Sequence, residues 1–93
     1  MLDIDTVLEL QKNIVLRGIG DKYWALDVSA GNQYKLNAVS FFILELFRSP
    51  QTITQITEAV VNEYNVTREL VVEDCRKVLQ FALENKIIKE VCV

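Results

Sequence analysis

The sequence contains no histidine, so a serine or cysteine nucleophile would need another base, and a metal site with an imidazole ligand cannot form. Cysteine occurs twice, as Cys75 and Cys92, at a spacing that fits neither a metal-ligand pair nor a disulfide framework. Both read as unpaired thiols, and Cys75, inside a helical apolar stripe, reads as an inert one. Of the three glycines, Gly18 and Gly20 flank Ile19 without the third glycine and following helix that a dinucleotide site requires. No apolar run approaches the roughly 20 residues that cross a bilayer, and the N-terminus lacks a basic segment followed by an apolar one. The expectation is a cytoplasmic chain with no membrane contact. An excess of positive charge is also missing: 13 acidic residues against 10 basic ones leave a net charge of −3, which gives no long-range attraction toward nucleic acid. Adjacent carboxylates such as Glu73 and Asp74 point to different faces of a helix and read as solvated charge. No enzyme, catalytic residue, metal or cofactor is expected, which leaves a binding surface.

What is present suits one domain over residues 1–93, since 51% hydrophobic content at this length can bury a core. Residues 1–12 carry Leu2, Ile4, Val7, Leu8 and Leu10 among polar neighbours and fit a helical turn, a first strand or a partly ordered arm equally well. Asn13 to Arg17 and Tyr23 to Val28 read as strands of a hairpin, joined through Gly18 to Lys22. Trp24, Leu26 and Val28 share one face of the second strand. After the turn formers Ser29 to Asn32 comes a third, edge strand in which Tyr34 and Leu36 share a face, completing a three-stranded meander. Tyr34 reads either as a packed strand aromatic or as a ligand contact.

Asn37 then caps a first helix, whose apolar positions Val39, Phe42, Ile43, Leu46 and Phe47 recur at helical spacing until Pro50 ends it near Arg48. Thr52 and Gln55 form a capping box for a second helix with the stripe Ile53, Ile56, Val60 and Tyr64. Asn65 to Thr67 break the pattern, and Thr67 caps a third helix from about Arg68 to Asn85. Its apolar arc is unusually wide, because Leu70 and Phe81 extend the stripe of Val71, Val72, Cys75, Val78, Leu79, Ala82 and Leu83 beyond half the circumference. One reading makes it the central helix of a small core. The other lets one edge of the arc, with Asp74, Val78 and Phe81, line a groove. Past Asn85, a candidate left-handed cap, Ile87, Ile88, Val91 and Val93 form a tail that folds back as a short strand or docks extended. The fold class is α+β and winged helix-turn-helix-like, a three-stranded antiparallel sheet followed by three helices. A strand lying beside helices is a ready edge for an extended peptide. A DNA-binding version of this order would need a basic recognition helix, and the third helix is near neutral.

Leu36-Asn37 opening the first helix, the Ile43-Leu44-Glu45-Leu46 run, Thr52 to Ile56, Glu63-Tyr64, and Asp74-Cys75 through Leu79 to Ile87-Ile88 follow in an order that resembles the PqqD-like family. These are the leader-recognition domains of pathways that modify ribosomally made peptides. The match covers about Asn13 to Ile88, and Leu26-Asp27, Gly31, Tyr34 and Leu36-Asn37 look most like the free-standing leader-binding proteins of lasso-peptide clusters. The chain departs from the family pattern at two turns, with Arg48-Ser49-Pro50 after the first helix and Lys86 before the final apolar pair where glycines are expected. The resemblance implies that a precursor leader peptide adds as a strand to Asn32, Gln33, Tyr34, Lys35 and Leu36 and lies against Val71, Asp74, Cys75, Val78 and Phe81 of the third helix. It also implies a separate processing enzyme as partner, a leader peptidase in the lasso case. A PqqD-type chaperone of quinone-cofactor synthesis, a winged-helix transcription regulator and a structural subunit are the alternatives, and the open edge could also pair with itself in a homodimer.

Overall fold

The computed structural model describes residues 6–91. The elements run β1 (Val7–Leu10), β2 (Ile14–Ile19), β3 (Lys22–Asp27), β4 (Asn32–Leu36), α1 (Ala38–Leu46), β5 (Gln51–Thr52), α2 (Ile53–Tyr64), α3 (Arg68–Glu84) and β6 (Ile88–Glu90). They form the expected α+β order, with the antiparallel meander β2-β3-β4 ahead of three helices, and add a second three-stranded sheet in the order β5-β1-β6. Leu2 and Ile4 of the N-terminal arm, and Cys92 and Val93, lie outside the described residues.

The first hairpin is tighter than its composition indicates, because Gly18, Ile19 and Lys22 all belong to strands and only Gly20 and Asp21 turn the chain. Gly20, with φ of +62°, supplies the left-handed backbone that two-residue hairpins need. Asp27 builds the second turn: its Oδ1 accepts from Asn13 Nδ2 at 2.8 Å and from the backbone N–H groups of Ser29 and Ala30 at 3.0 and 3.1 Å. The Gly31 N–H donates to the Asp27 carbonyl at 2.8 Å, and Gly31 adopts φ of +77°. These bonds pull the Asp27 carboxyl below its ordinary pKa of 3.8, the Ala30 N–H contributing most and Asn13 next. This turn delivers β4 into register with β3, pairing Asp27 with Asn32 and Tyr23 with Leu36.

Period two sorts the meander into two faces. Ile14, Leu16, Ala25 and Leu36 point into the core, whereas Trp24 and Leu26 stay half-exposed and Val15, Ile19 and Val28 are exposed. The face formed by Trp24, Leu26 and Val28 is therefore the outer one.

Helix boundaries follow their caps. Asn37 Oδ1 accepts from the Ser40 N–H at 2.8 Å, and both halves of the Thr52–Gln55 capping box are present. Asn65 ends α2 in the left-handed region, whereas Thr67 stands at the N-cap of α3 without a side-chain cap bond. At the end of α3 the left-handed residue is Lys86, at φ of +58°, and not Asn85, at −97°. The Ile87 N–H donates to the Ala82 carbonyl at 2.7 Å and the Lys86 N–H to that of Leu83 at 3.2 Å. That is a Schellman cap with lysine in the glycine position, and it buries Ile87 completely.

The core gathers Leu8, Ile43, Leu44, Phe47, Ile56, Leu79, Ile87 and Ile88, all fully or almost fully buried. β1 threads through it, pairing Leu8 with Gln51 of β5 on one side and with Glu90 of β6 on the other. The Leu10 N–H reaches the Phe47 carbonyl at 2.8 Å and the Gln11 N–H that of Ile87 at 2.9 Å. The ends of α1 and α3 are thereby tied to the same strand. No helix among the described residues is long and apolar enough to cross a membrane.

Candidate functional site

Among the described residues β4 lies at an edge of its sheet, hydrogen-bonded to β3 alone. In an antiparallel sheet each residue turns its N–H and C=O to one side, and the side alternates along the strand. The Val28 N–H, just past β3, donates to the Asn13 carbonyl at 3.0 Å, so Val28, Leu26 and Trp24 address β2. Tyr23, Ala25 and Asp27 must then address β4, where their partners are Leu36, Tyr34 and Asn32. Gln33 and Lys35 remain, with both backbone groups directed outward from the sheet. β2, the other edge, presents Leu16 and Gly18 by the same alternation. What distinguishes β4 is the helix beside it.

The Tyr34 ring meets Phe81 of α3 edge-on, with centroids 5.9 Å apart and planes at 85°. Tyr34 is thus a packed strand aromatic that couples β4 to α3. Alongside runs a groove of about 270 Å³ lined by Lys35, Leu36 and Asn37, by Ser40 of α1, and by Lys77, Val78 and Phe81 of α3. Phe81 remains 39% exposed, a large apolar surface for a side chain on a packed helix. The arrangement sets two outward-facing ladder residues beside an apolar wall, with Lys35 and Lys77 among the lining residues.

The residues singled out in the sequence divide into three groups. Gln33, Tyr34, Lys35, Leu36, Val78 and Phe81 come together at the edge and groove, Leu36 with its side chain mostly in the core. Asn32 turns its backbone bonds to β3, and Asp74 is exposed on α3 but outside the groove lining. Val71, 3% exposed, and Cys75, fully buried, face the core and offer a ligand no surface. Their place in the expected site is corrected accordingly: the wide arc of α3 is divided between core and groove, and these two lie on the core side. Burial, with a smaller contribution from Asp74, pushes the Cys75 thiol up to about 11, so it stays protonated and unreactive. Three lining residues, Asn37, Ser40 and Lys77, were missed. Lys77 precedes Phe81 by four positions and so shares its helix face, a signal the apolar stripe concealed.

The fold and the open edge define a small α+β domain with a groove between a sheet edge and its last helix. Family comparison matches residues 1–88 to the model described as coenzyme PQQ synthesis protein D, PqqD. The chain belongs to the PqqD family. Among solved structures it is similar to TbiB1 in complex with the TbiA(beta) leader peptide, at 24% identity and a TM-score of 0.77, over 91% of this chain and 99% of that one. It is also similar to lasso peptide synthetase B1 complexed with the leader peptide, at 18% identity and a TM-score of 0.73, over 88% and 96% of the two chains. A third is the PqqD truncation of Methylobacterium extorquens PqqCD, a stand-alone recognition element, at 16% identity and a TM-score of 0.79, over 96% and 95%. At these identities the likeness is one of fold. Comparison with curated proteins finds no match.

Proposed function

We propose that this protein is a non-catalytic adaptor that binds the leader region of a ribosomally synthesised precursor by strand addition at β4 and presents it to a separate processing enzyme. The observation that carries this reading is the backbone ladder at Gln33 and Lys35, which no described strand covers, beside the groove walled by Val78 and Phe81. Ladder hydrogen bonds would supply affinity with little dependence on sequence, and side chains alternating toward the groove would supply selectivity. The family match and the two fold relatives solved with leader peptides support it. Those relatives favour the lasso-peptide setting, in which the processing enzyme is a leader peptidase and the adaptor raises the effective concentration of the cleavage site. The setting is the cytoplasm, where a ribosomal precursor is made.

A second reading keeps the binding mode and changes the pathway. The family model and the PqqD fold relative favour a chaperone of quinone-cofactor synthesis. The genes beside this one separate the two: a leader peptidase and a cyclase mark the first, a radical enzyme the second.

Titration with the leader of the precursor encoded alongside, followed by fluorescence anisotropy, tests the binding mode. Gln33→Pro and Lys35→Pro each delete an outward-facing N–H and are expected to weaken binding by about three- to tenfold, one ladder bond apiece. Unchanged affinity in both variants, with unfolding midpoints preserved, removes the strand-addition model. Self-association through the same edge would show as a dimer in sedimentation that the leader dissolves.

A further inference from the structure

The charged residues among those lining the groove are Lys35 and Lys77, both cations, although acidic residues outnumber basic ones 13 to 10 in the whole chain. Among the described residues neither ammonium belongs to an ion pair; the pairs found there join Arg48 to Glu45, Arg68 to Glu58 and Lys89 to Glu9. Glu73 and Asp74 lie at helical spacing from Lys77, yet neither pairs with it or lines the groove. The two lysines come from separate elements, Lys35 from β4 and Lys77 from α3, so they flank the path an added strand would take. Beside them the remaining lining is apolar, at Leu36, Val78 and Phe81, or uncharged and polar, at Asn37 and Ser40.

We infer that the bound segment carries an acidic side chain, Asp or Glu, next to its apolar anchor, and that Lys35 and Lys77 select for it. The inference rests on the strand-addition reading and deepens it by assigning the ligand's chemistry. An added strand sends alternate side chains to opposite faces. One set enters the groove, where Val78 and Phe81 take an apolar group. The neighbouring residues pass the rim, where a carboxylate would meet an ammonium that has no partner within the described chain. The exposure of both lysines keeps each pair modest in affinity, so its effect is discrimination: an acidic segment is favoured and a basic one is repelled.

The test is selection from displayed random peptides of about a dozen residues on immobilised full-length protein, run in parallel on the wild type, on Gln33→Pro and on the Lys35→Glu/Lys77→Glu double variant. The expected result is enrichment of Asp or Glu at one or two positions adjacent to an apolar residue in the wild-type pool, and loss or reversal of that preference in the double variant. A synthetic selected peptide and its carboxylate-to-amide version should then differ in affinity by about two- to fivefold on the wild type and by nothing on the Lys35→Gln/Lys77→Gln double variant, a partner-specific coupling that misfolding would not produce. Peptides that depend on Gln33 but show no acidic preference overturn this inference and leave strand addition standing. A pool with no enriched peptide, or one indifferent to Gln33→Pro, overturns strand addition and this inference with it.

Discussion

The two sheets differ in how their strands are brought together. β2, β3 and β4 follow one another through tight turns, and the last of them ends in an edge five residues long with a groove beside it. β5, β1 and β6 come from distant parts of the chain, and Leu8 at their centre is fully buried. The edges of this second sheet are short: β5 has two residues, and β6 has three, with charges at Lys89 and Glu90. Short and charged edges discourage pairing with another chain, whereas a longer edge backed by an apolar wall invites it. The second sheet closes the fold, and the meander leaves an edge open.

The largest expected effect lies in the closing sheet. Leu8→Ala leaves a cavity where β1 joins the ends of α1 and α3, and should cost about 2–5 kcal/mol in urea unfolding while leader affinity of the folded fraction is unchanged. A comparable loss of affinity would break the division between the sheets. Phe81→Ala should do the reverse, weakening leader binding by roughly tenfold in anisotropy titrations while costing about 1 kcal/mol of stability through its contact with Tyr34. Lys86→Gly sharpens the contrast from the other side: relieving the left-handed lysine should raise stability by about 1 kcal/mol and leave binding untouched. The smallest effect concerns pH. Because the folded-state pKa of Asp27 is lowered, its contribution is fully present above the ordinary value of 3.8 and is lost as pH falls through the lower folded value. Asp27→Asn should flatten that acid limb in thermal melts taken across the same pH range.

Much of the local architecture was legible because its causes sit within a few residues of one another. Asn37 bonds its own first turn, Thr52 and Gln55 bond each other, and Asn65 takes the left-handed cap. The cap at the end of α3 was misplaced by one residue, since asparagine is the better left-handed residue in isolation. The Schellman bonds from Lys86 and Ile87, with Ile87 buried, override that preference. The candidate site was half legible. Composition named the strand, and the alternation of its backbone groups followed once the register was known. The helix side was harder, because the arc from Val71 to Phe81 is apolar almost throughout and periodicity cannot say which part of it meets the core.

By itself, the sequence determined the meander and the three helices with most of their caps, because these depend on near neighbours. Tertiary structure alone decided that residues near the two ends would share a sheet, that Val71 and Cys75 would turn inward, and that Lys77 would stand with Lys35 at the groove. Those outcomes depend on which surfaces meet across long stretches of chain, where the entropy of closing the loop is repaid only by packing that no local pattern encodes.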